Sequence, residues 1–152
     1  MKKGFTFIEL MFIIAVTVVL VGIVSSSFSN FGKHQELVTA AEVLSSVFFE
    51  ARSYTISSKN ASSYGVHIES DRVTRFTGET YDQNDPNNKV VMLRGAVTIS
   101  ETNLQGGGSD VIFNRLTGDT NQYGTIIISR ADDGSQTRVI TITKTGFIEV
   151  GD

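Results

Sequence analysis

The sequence predicts an α+β fold, in which one long N-terminal helix packs on antiparallel β-sheet of about seven short strands. Residues 5–24 are mostly apolar and carry a single charge, Glu9. Residues 28–57 then repeat apolar side chains every three or four positions, the period of an amphipathic helix. Beyond Asn60 the chain changes to short apolar runs separated by turn residues, which is typical of strands.

The apolar segment is long enough to cross a membrane, because about 20 helical residues span roughly 30 Å, the thickness of a hydrocarbon core. Residues 13–24 are rich in Ile, Val and Thr, which favour strands in water. In lipid a lone segment must satisfy its own backbone groups and therefore folds as a helix. Lys2 and Lys3 precede the segment. By the positive-inside rule we expect a single span with a cytosolic N-terminus and an extracytoplasmic C-terminal part.

A secretory signal peptide or a plain membrane anchor is the commoner origin of such a run. The segment is too long for a usual signal-peptide core, and Ser25-Ser26-Ser27 is a poor cleavage site. A plain anchor accounts for the length but not for Glu9. A carboxylate at mid-helix costs about 2.5–3.5 kcal/mol on insertion scales, and less near the end of a span, so Glu9 is a candidate functional residue.

The helical pattern continues past the membrane segment as an amphipathic stripe, and Ser57-Ser58-Lys59-Asn60 ends it. Because the charged residues Glu42, Glu50 and Arg52 lie off the stripe, we expect the apolar face to pack on a sheet. The stripe consists of Leu37, Ala41, Leu44, Phe48 and Ala51, with Ala40, Val47 and Tyr54 beside it.

The β part is predicted from short apolar runs and the turns between them. Ser70-Asp71 marks a hairpin turn, residues 78–88 form a polar loop, and Gly95 separates two runs. The strand-like runs are residues 64–69, 72–77, 90–93, 96–100, 111–114, 124–129, 138–143 and 147–150.

Composition and residue types exclude most chemistry. The formal net charge of −3 is unlike that of a nucleic-acid-binding surface, and without cysteine there is neither a disulfide nor a cysteine zinc site. His34 and His67 are the two histidines. Asp82 and Asp85 are weak calcium candidates, because their loop lacks the EF-hand glycine and distal glutamate. We therefore expect no catalytic residue, no cofactor and no resident metal.

The stretch Lys2-Lys3-Gly4 followed by Phe5-Thr6-Phe7-Ile8-Glu9-Leu10 resembles the class III signal of type IV pilins and type II secretion pseudopilins. The resemblance implies that prepilin peptidase cuts between Gly4 and Phe5 and that Phe5 is N-methylated. It implies that the apolar helix becomes the spine of a filament. It assigns Glu9 to assembly, opposite the Phe5 amine of a neighbouring subunit. The alternative is that Glu9 serves only its own helix N-terminus.

The resemblance divides the chain into a leader at 1–4, a transmembrane and filament-spine helix at 5–29, and a pilin-like globular domain at 30–152. In the globular domain the helix runs to about residue 58 and β-structure follows. Two features depart from major pilins: the spine has no proline, and no disulfide can close a C-terminal loop.

A second resemblance, to the GspH/FimT-like pilin domain, covers the later chain and implies a minor pilin or minor pseudopilin. It rests on Ala51-Arg52-Ser53, Leu116-Thr117-Gly118, Gly146-Phe147 and the runs at 111–114, 124–128, 138–142 and 148–150.

The two resemblances imply a non-enzymatic filament subunit of the inner membrane, in protein secretion or pilus assembly. Its expected partners are other pilin or pseudopilin subunits, prepilin peptidase, the inner-membrane assembly platform and the lipid bilayer; nucleic acid is not expected. A secretion pseudopilus and a pilus for adhesion, motility or DNA uptake both stay open. The alternative function is a membrane-anchored extracytoplasmic β module that binds a ligand or surface component without assembling.

Overall fold

The computed structural model confirms the α+β class. It describes residues 4–132, 134 and 136–151, and it leaves aside the side chains of residues 25–31 and 33; Lys2 and Lys3 of the predicted leader lie outside the described residues. A 50-residue helix, α1, runs from Phe7 to Ile56. Contacts divide the chain into two compact units, Met1–Gln35 and Glu36–Asp152.

In the first unit, α1 contains a strongly apolar window at Phe7–Val24, whose one charged residue is Glu9. The window Phe7–Val24 has 18 residues and a mean hydropathy of 2.8, and none of it is buried within the structure. Its length and composition suit a membrane crossing. Its β-branched residues are helical, as predicted for a segment that must satisfy its own backbone groups in lipid.

In the second unit, the predicted apolar stripe on α1 is confirmed. All five stripe residues are buried, as are Ala40 and Val47, whereas Glu42 is exposed. The helix ends at Ile56, and Ser58 follows in the left-handed conformation with φ 51°. One 3₁₀ turn, Lys59–Ala61, leads into the strands. The helix therefore stops where the polar run Ser57-Ser58-Lys59-Asn60 predicts.

The strands of the described chain form two four-stranded antiparallel sheets. Sheet A has the order β3-β2-β1-β5, and sheet B has the order β4-β6-β7-β8. The strands are β1 (Tyr64–Ile68), β2 (Arg72–Thr77), β3 (Lys89–Met92), β4 (Val97–Leu104), β5 (Asp110–Phe113), β6 (Gly124–Arg130), β7 (Thr137–Ile142) and β8 (Ile148–Gly151).

Each strand-like run of the sequence forms a strand. The described part of the chain therefore has eight strands rather than about seven, and the two runs on either side of Gly95 belong to different sheets. Strand β4 also continues four residues beyond the predicted end at Ser100. A β-bulge between Ile99 and Glu101 shifts its register, so the inward side changes and Leu104 becomes buried.

Both sheets pack their inner faces on the same helix stripe, and all three layers share one apolar cluster. The cluster contains no disulfide bond, so its stability comes from apolar burial and packing. Sheet A contributes Val66, Val73, Val111 and Phe113, and sheet B contributes Ile126, Ile128, Ile140, Ile142 and Ile148.

We expect Phe48→Ala to lower the free energy of unfolding by about 3–5 kcal/mol, because the ring is 0% exposed and its loss leaves a cavity. The matched control is Phe49→Ala. That neighbouring ring is 45% exposed, so its loss should cost less than about 1 kcal/mol. Urea unfolding of residues 30–152 measures both. Equal costs would contradict the assignment of the buried face.

Candidate assembly site

A capping box closes the N-terminus of α1. The Glu9 amide donates to Thr6 Oγ1 at 3.3 Å, and the Thr6 amide faces Glu9 Oε2 at 3.5 Å. The Leu10 amide donates to the Thr6 carbonyl at 3.2 Å. Thr6 is therefore the N-cap and Glu9 the third helical residue, which is the Thr-x-x-Glu arrangement that satisfies two free amides of a helix start.

The predicted processing residues lie just ahead of this cap. Gly4 and Phe5 are outside the helix, and Phe5 is 78% exposed. No heavy atom beyond its neighbours lies within 4 Å of where a Gly4 Cβ would stand. Both described residues that flank the predicted cut are therefore exposed. Glu9 is also exposed, and a carboxylate accepts several hydrogen bonds, so the Thr6 contact leaves Glu9 able to bind an amine.

In the second unit, Arg52 joins α1 to two turns of the β part. Its Nε donates to the Gly118 carbonyl at 3.0 Å and its Nη2 to the Thr145 carbonyl at 3.2 Å. Gly118 and Gly146 both have left-handed φ values, 70° and 75°. A Cβ on Gly146 would lie 1.8 Å from the Gly118 carbonyl oxygen, and one on Gly118 would lie 2.6 Å from Ile56. The three motifs of the second resemblance thus meet at one place.

A charged cluster fixes α1 to sheet A. Glu50 lies 3.4 Å from Arg75 Nη1 and 2.8 Å from Lys89 Nζ. Partial burial would raise the pKa of Glu50, but hydrogen bonds from Lys89 and Tyr54 and the charges of Arg75 and Lys89 outweigh it. The net effect holds this pKa below its ordinary value, so the carboxylate stays ionised and paired at neutral pH.

A second cluster, which the sequence did not reveal as a site, fixes α1 to sheet B. The Arg130 side chain is 5% exposed; its Nη1 donates to Glu36 at 2.7 Å, and its Nε and Nη2 donate to Asp132 at 2.8 and 3.0 Å. Hydrogen bonds to Asp132 and Glu36 raise the pKa of Arg130. The sequence pattern that could have indicated this burial is the alternation along β6: Arg130 follows Ile126 and Ile128 at every second position, on the inward side of the strand.

The two weak calcium candidates lie in Asx turns. Asp82 Oδ1 accepts the Asn84 amide at 2.9 Å, and Asp85 Oδ1 accepts the Asn87 amide at 2.9 Å. Within the described residues, no group of three His, Cys, Asp or Glu side chains could hold a metal ion. Local hydrogen bonding therefore accounts for the form of this loop.

His67 is part of a polar and aromatic cluster on the outer face of sheet A. Its Nδ1 lies 2.6 Å from Asp110 Oδ1, and its ring stacks on Tyr81 with 4.0 Å between centroids. The Tyr81 ring also contacts Phe76, at 5.6 Å between centroids. The cluster holds the loop after β2 against the sheet, which gives His67 a structural role.

A polar groove of about 610 Å³ lies beside β5, and its charged lining residues are Glu79 and Arg115. Arg115 Nε donates to Ser58 Oγ at 2.5 Å, which ties it to the turn that follows α1. Among the described residues, the remaining lining includes serine, asparagine and glutamine side chains.

No known family profile matches the sequence, and no curated protein matches it at a significant level. Two crystal structures of the type IV minor pilin FimU from Pseudomonas aeruginosa PAO1 match the fold. The first has a TM-score of 0.63 and 18% identity, and the match covers 80% of this chain and 92% of that one. The second has a TM-score of 0.59 and 16% identity, over 76% and 93%.

The chain has the fold of a type IV minor pilin. This likeness confirms, at the level of the fold, the pilin-like interpretation of the two sequence resemblances.

We expect Gly146→Ala to lower the free energy of unfolding by about 3 kcal/mol or more, because left-handed strain and the clash with Gly118 add together. Gly107→Ala is the matched control: its φ is 74°, but its Cβ would meet nothing within 4 Å, so strain alone should cost about 1–2 kcal/mol. Thermal unfolding compares the two. A Gly146 variant no worse than the Gly107 variant would disprove the close approach.

Proposed function

We propose that this chain is a non-enzymatic subunit of a type IV pilus-like or type II secretion pseudopilus filament, of the GspH/FimT-like minor class. One observation carries the proposal: a single helix, α1, has an exposed apolar window at Phe7–Val24, none of it buried, and a fully buried stripe in its later part. An apolar surface of that extent needs lipid or other apolar helices around it. The minor-pilin fold supports the choice of filament helices as the later surroundings.

Before assembly, the window Phe7–Val24 lies in the inner membrane as a single span. Lys2 and Lys3 keep the N-terminus cytosolic, and the sheets lie outside the cytosol. The globular unit needs no disulfide there, because its core is closed by the helix stripe.

Processing follows at the exposed bond before the capping box. Prepilin peptidase adds water across the amide between Gly4 and Phe5, which leaves a carboxylate on Gly4 and an ammonium group on Phe5. The amine of Phe5 is then N-methylated. The whole apolar window stays on the mature chain.

Cleavage changes what Glu9 can do. The Phe5 ammonium is a second charge in an apolar spine, and an unpaired charge in a dry helix bundle is strongly disfavoured. Pairing Glu9 of one subunit with the Phe5 amine of the next removes both penalties in one register. Electrostatic pairing of this kind selects the register in which subunits enter the filament.

The partners that follow are other pilin or pseudopilin subunits, prepilin peptidase and the inner-membrane assembly platform. Protein secretion and pilus assembly both fit this role. A plain anchored module would need neither the cut nor the charge at Glu9, so processing and assembly distinguish the two functions.

We expect the mature protein to begin at Phe5, because the bond before it is exposed and preceded by the Lys2-Lys3-Gly4 leader. Intact-mass measurement of the membrane-extracted protein should show loss of residues 1–4 and retention of the apolar window. A chain that still begins at Met1, or one that begins after Ser25, would refute the filament role.

We expect Glu9→Gln to be inserted and cleaved normally but to enter filaments at least about tenfold less often beside wild-type subunits, because losing one partner of a buried pair costs about 3–5 kcal/mol. Glu42→Gln is the control, since Glu42 is an exposed glutamate elsewhere on α1. Sheared-filament immunoblots measure incorporation. Normal incorporation of Glu9→Gln would mean that the carboxylate serves only its own helix.

A further inference from the structure

Two residues near the start of the chain are suitable N-caps for α1. Glycine and threonine are both favoured at the N-cap, and Gly4 and Thr6 stand two positions apart. The helix begins after Thr6. Glu9 decides between them: it is the third helical residue counted from Thr6, and its Oε2 accepts a hydrogen bond from the Thr6 amide at 3.5 Å. Counted from Gly4, the third residue is Phe7, whose side chain cannot accept a hydrogen bond from the cap amide.

The choice of cap determines the state of the bond between Gly4 and Phe5. With Gly4 as the cap, the Gly4 carbonyl would accept the Ile8 amide, because the N-cap carbonyl accepts the first intrahelical bond. The bond would then lie in the first turn of the helix. With Thr6 as the cap, Gly4 and Phe5 precede the helix and are exposed. Proteolysis acts at exposed, non-helical segments, so only the second state presents the bond.

We propose that Thr6 is a positioning residue for prepilin processing: its cap, closed by Glu9, keeps the Gly4–Phe5 bond outside α1. This inference rests on the proposed function, since it concerns the same cut. Hydrolysis consumes one water, breaks the amide, and leaves a carboxylate on Gly4 and an ammonium on Phe5. Thr6 stays on the mature chain and touches no reacting atom.

Glu9 then has two separable properties. As the third helical residue it closes the capping box, and glutamine does this as well as glutamate. As a charge it pairs with an amine, which glutamine cannot do. Glu9→Gln therefore keeps the cap and loses the charge, whereas Thr6→Ala keeps the charge and loses the cap. Glu9→Gln should therefore be impaired in assembly, and Thr6→Ala should be impaired in processing.

The experiment follows cleavage of the full chain in membrane vesicles with prepilin peptidase, by intact mass over time. Thr6→Ala should be cleaved more slowly, by up to about fivefold, which is the limit set by the roughly 1 kcal/mol that a threonine cap contributes. Thr6→Val should be slowed equally, because it keeps the shape but not the hydroxyl. Thr6→Ser should be cleaved within about twofold of wild type. Thr17→Ala is the control: its hydroxyl donates to the Ile13 carbonyl at 2.8 Å, away from the cap, so cleavage should be unchanged.

Backbone NMR of the uncleaved chain in micelles provides the conformational readout. In Thr6→Ala, the Cα shifts of Phe5 and residue 6 should move to helical values; in Thr6→Ser they should not. If Thr6→Ala and Thr6→Val are cleaved at the wild-type rate, or are cleaved slowly without a helical shift at Phe5, the proposed role of Thr6 is wrong. The proposed function would be unaffected. An uncleaved wild-type chain would overturn the proposed function and, with it, the role of Thr6.

Discussion

The structure depends on one apolar stripe, which lies on the second part of α1 and has Leu44 and Phe48 at its centre. Two separate sheets bury their inner faces on it, and a sheet with one apolar face needs such a covering layer. Polar contacts stand at the margins of the stripe and fix the sheets to it. Glu50 holds sheet A through Arg75, and Glu36 holds sheet B through Arg130. Apolar burial supplies the driving force, and these pairs define where each sheet sits.

The first part of the same helix has the opposite character. Between Phe7 and Val24 its side chains are apolar apart from Glu9 and Thr17, so a contact on one face cannot cover this window, and it must be surrounded. A bilayer would surround it, and under the proposed function so would several neighbouring helices of a filament. The Thr6–Glu9 capping box marks where this helix begins, and Gly4 and Phe5, between which we propose the cut, precede it.

Local patterns predicted most of the fold, because the periodicity of a helix or a strand depends on residues that are close together in the sequence. The stripe from Leu37 to Ala51 and the strand-like runs are of this kind. The sequence did not predict the sheet order or the extension of β4 to Leu104, since pairing with β6 and the bulge after Ile99 are non-local. Arg130 was missed for the same reason: its partner Glu36 lies 94 positions away. At the candidate site, Glu9 was found as an isolated charge, whereas the capping role of Thr6 needed coordinates.

The central claim is that the apolar window of α1 is covered by lipid and then by other subunits. A photo-crosslinking residue at Val18, which is 66% exposed, tests it most directly, with the fully buried Leu44 position as reference. We expect Val18 adducts to lipid in membranes and to a second chain in filaments, while Leu44 gives adducts within its own chain in both. Val18 adducts that stay within one chain, or that remain with lipid after assembly, would contradict the claim.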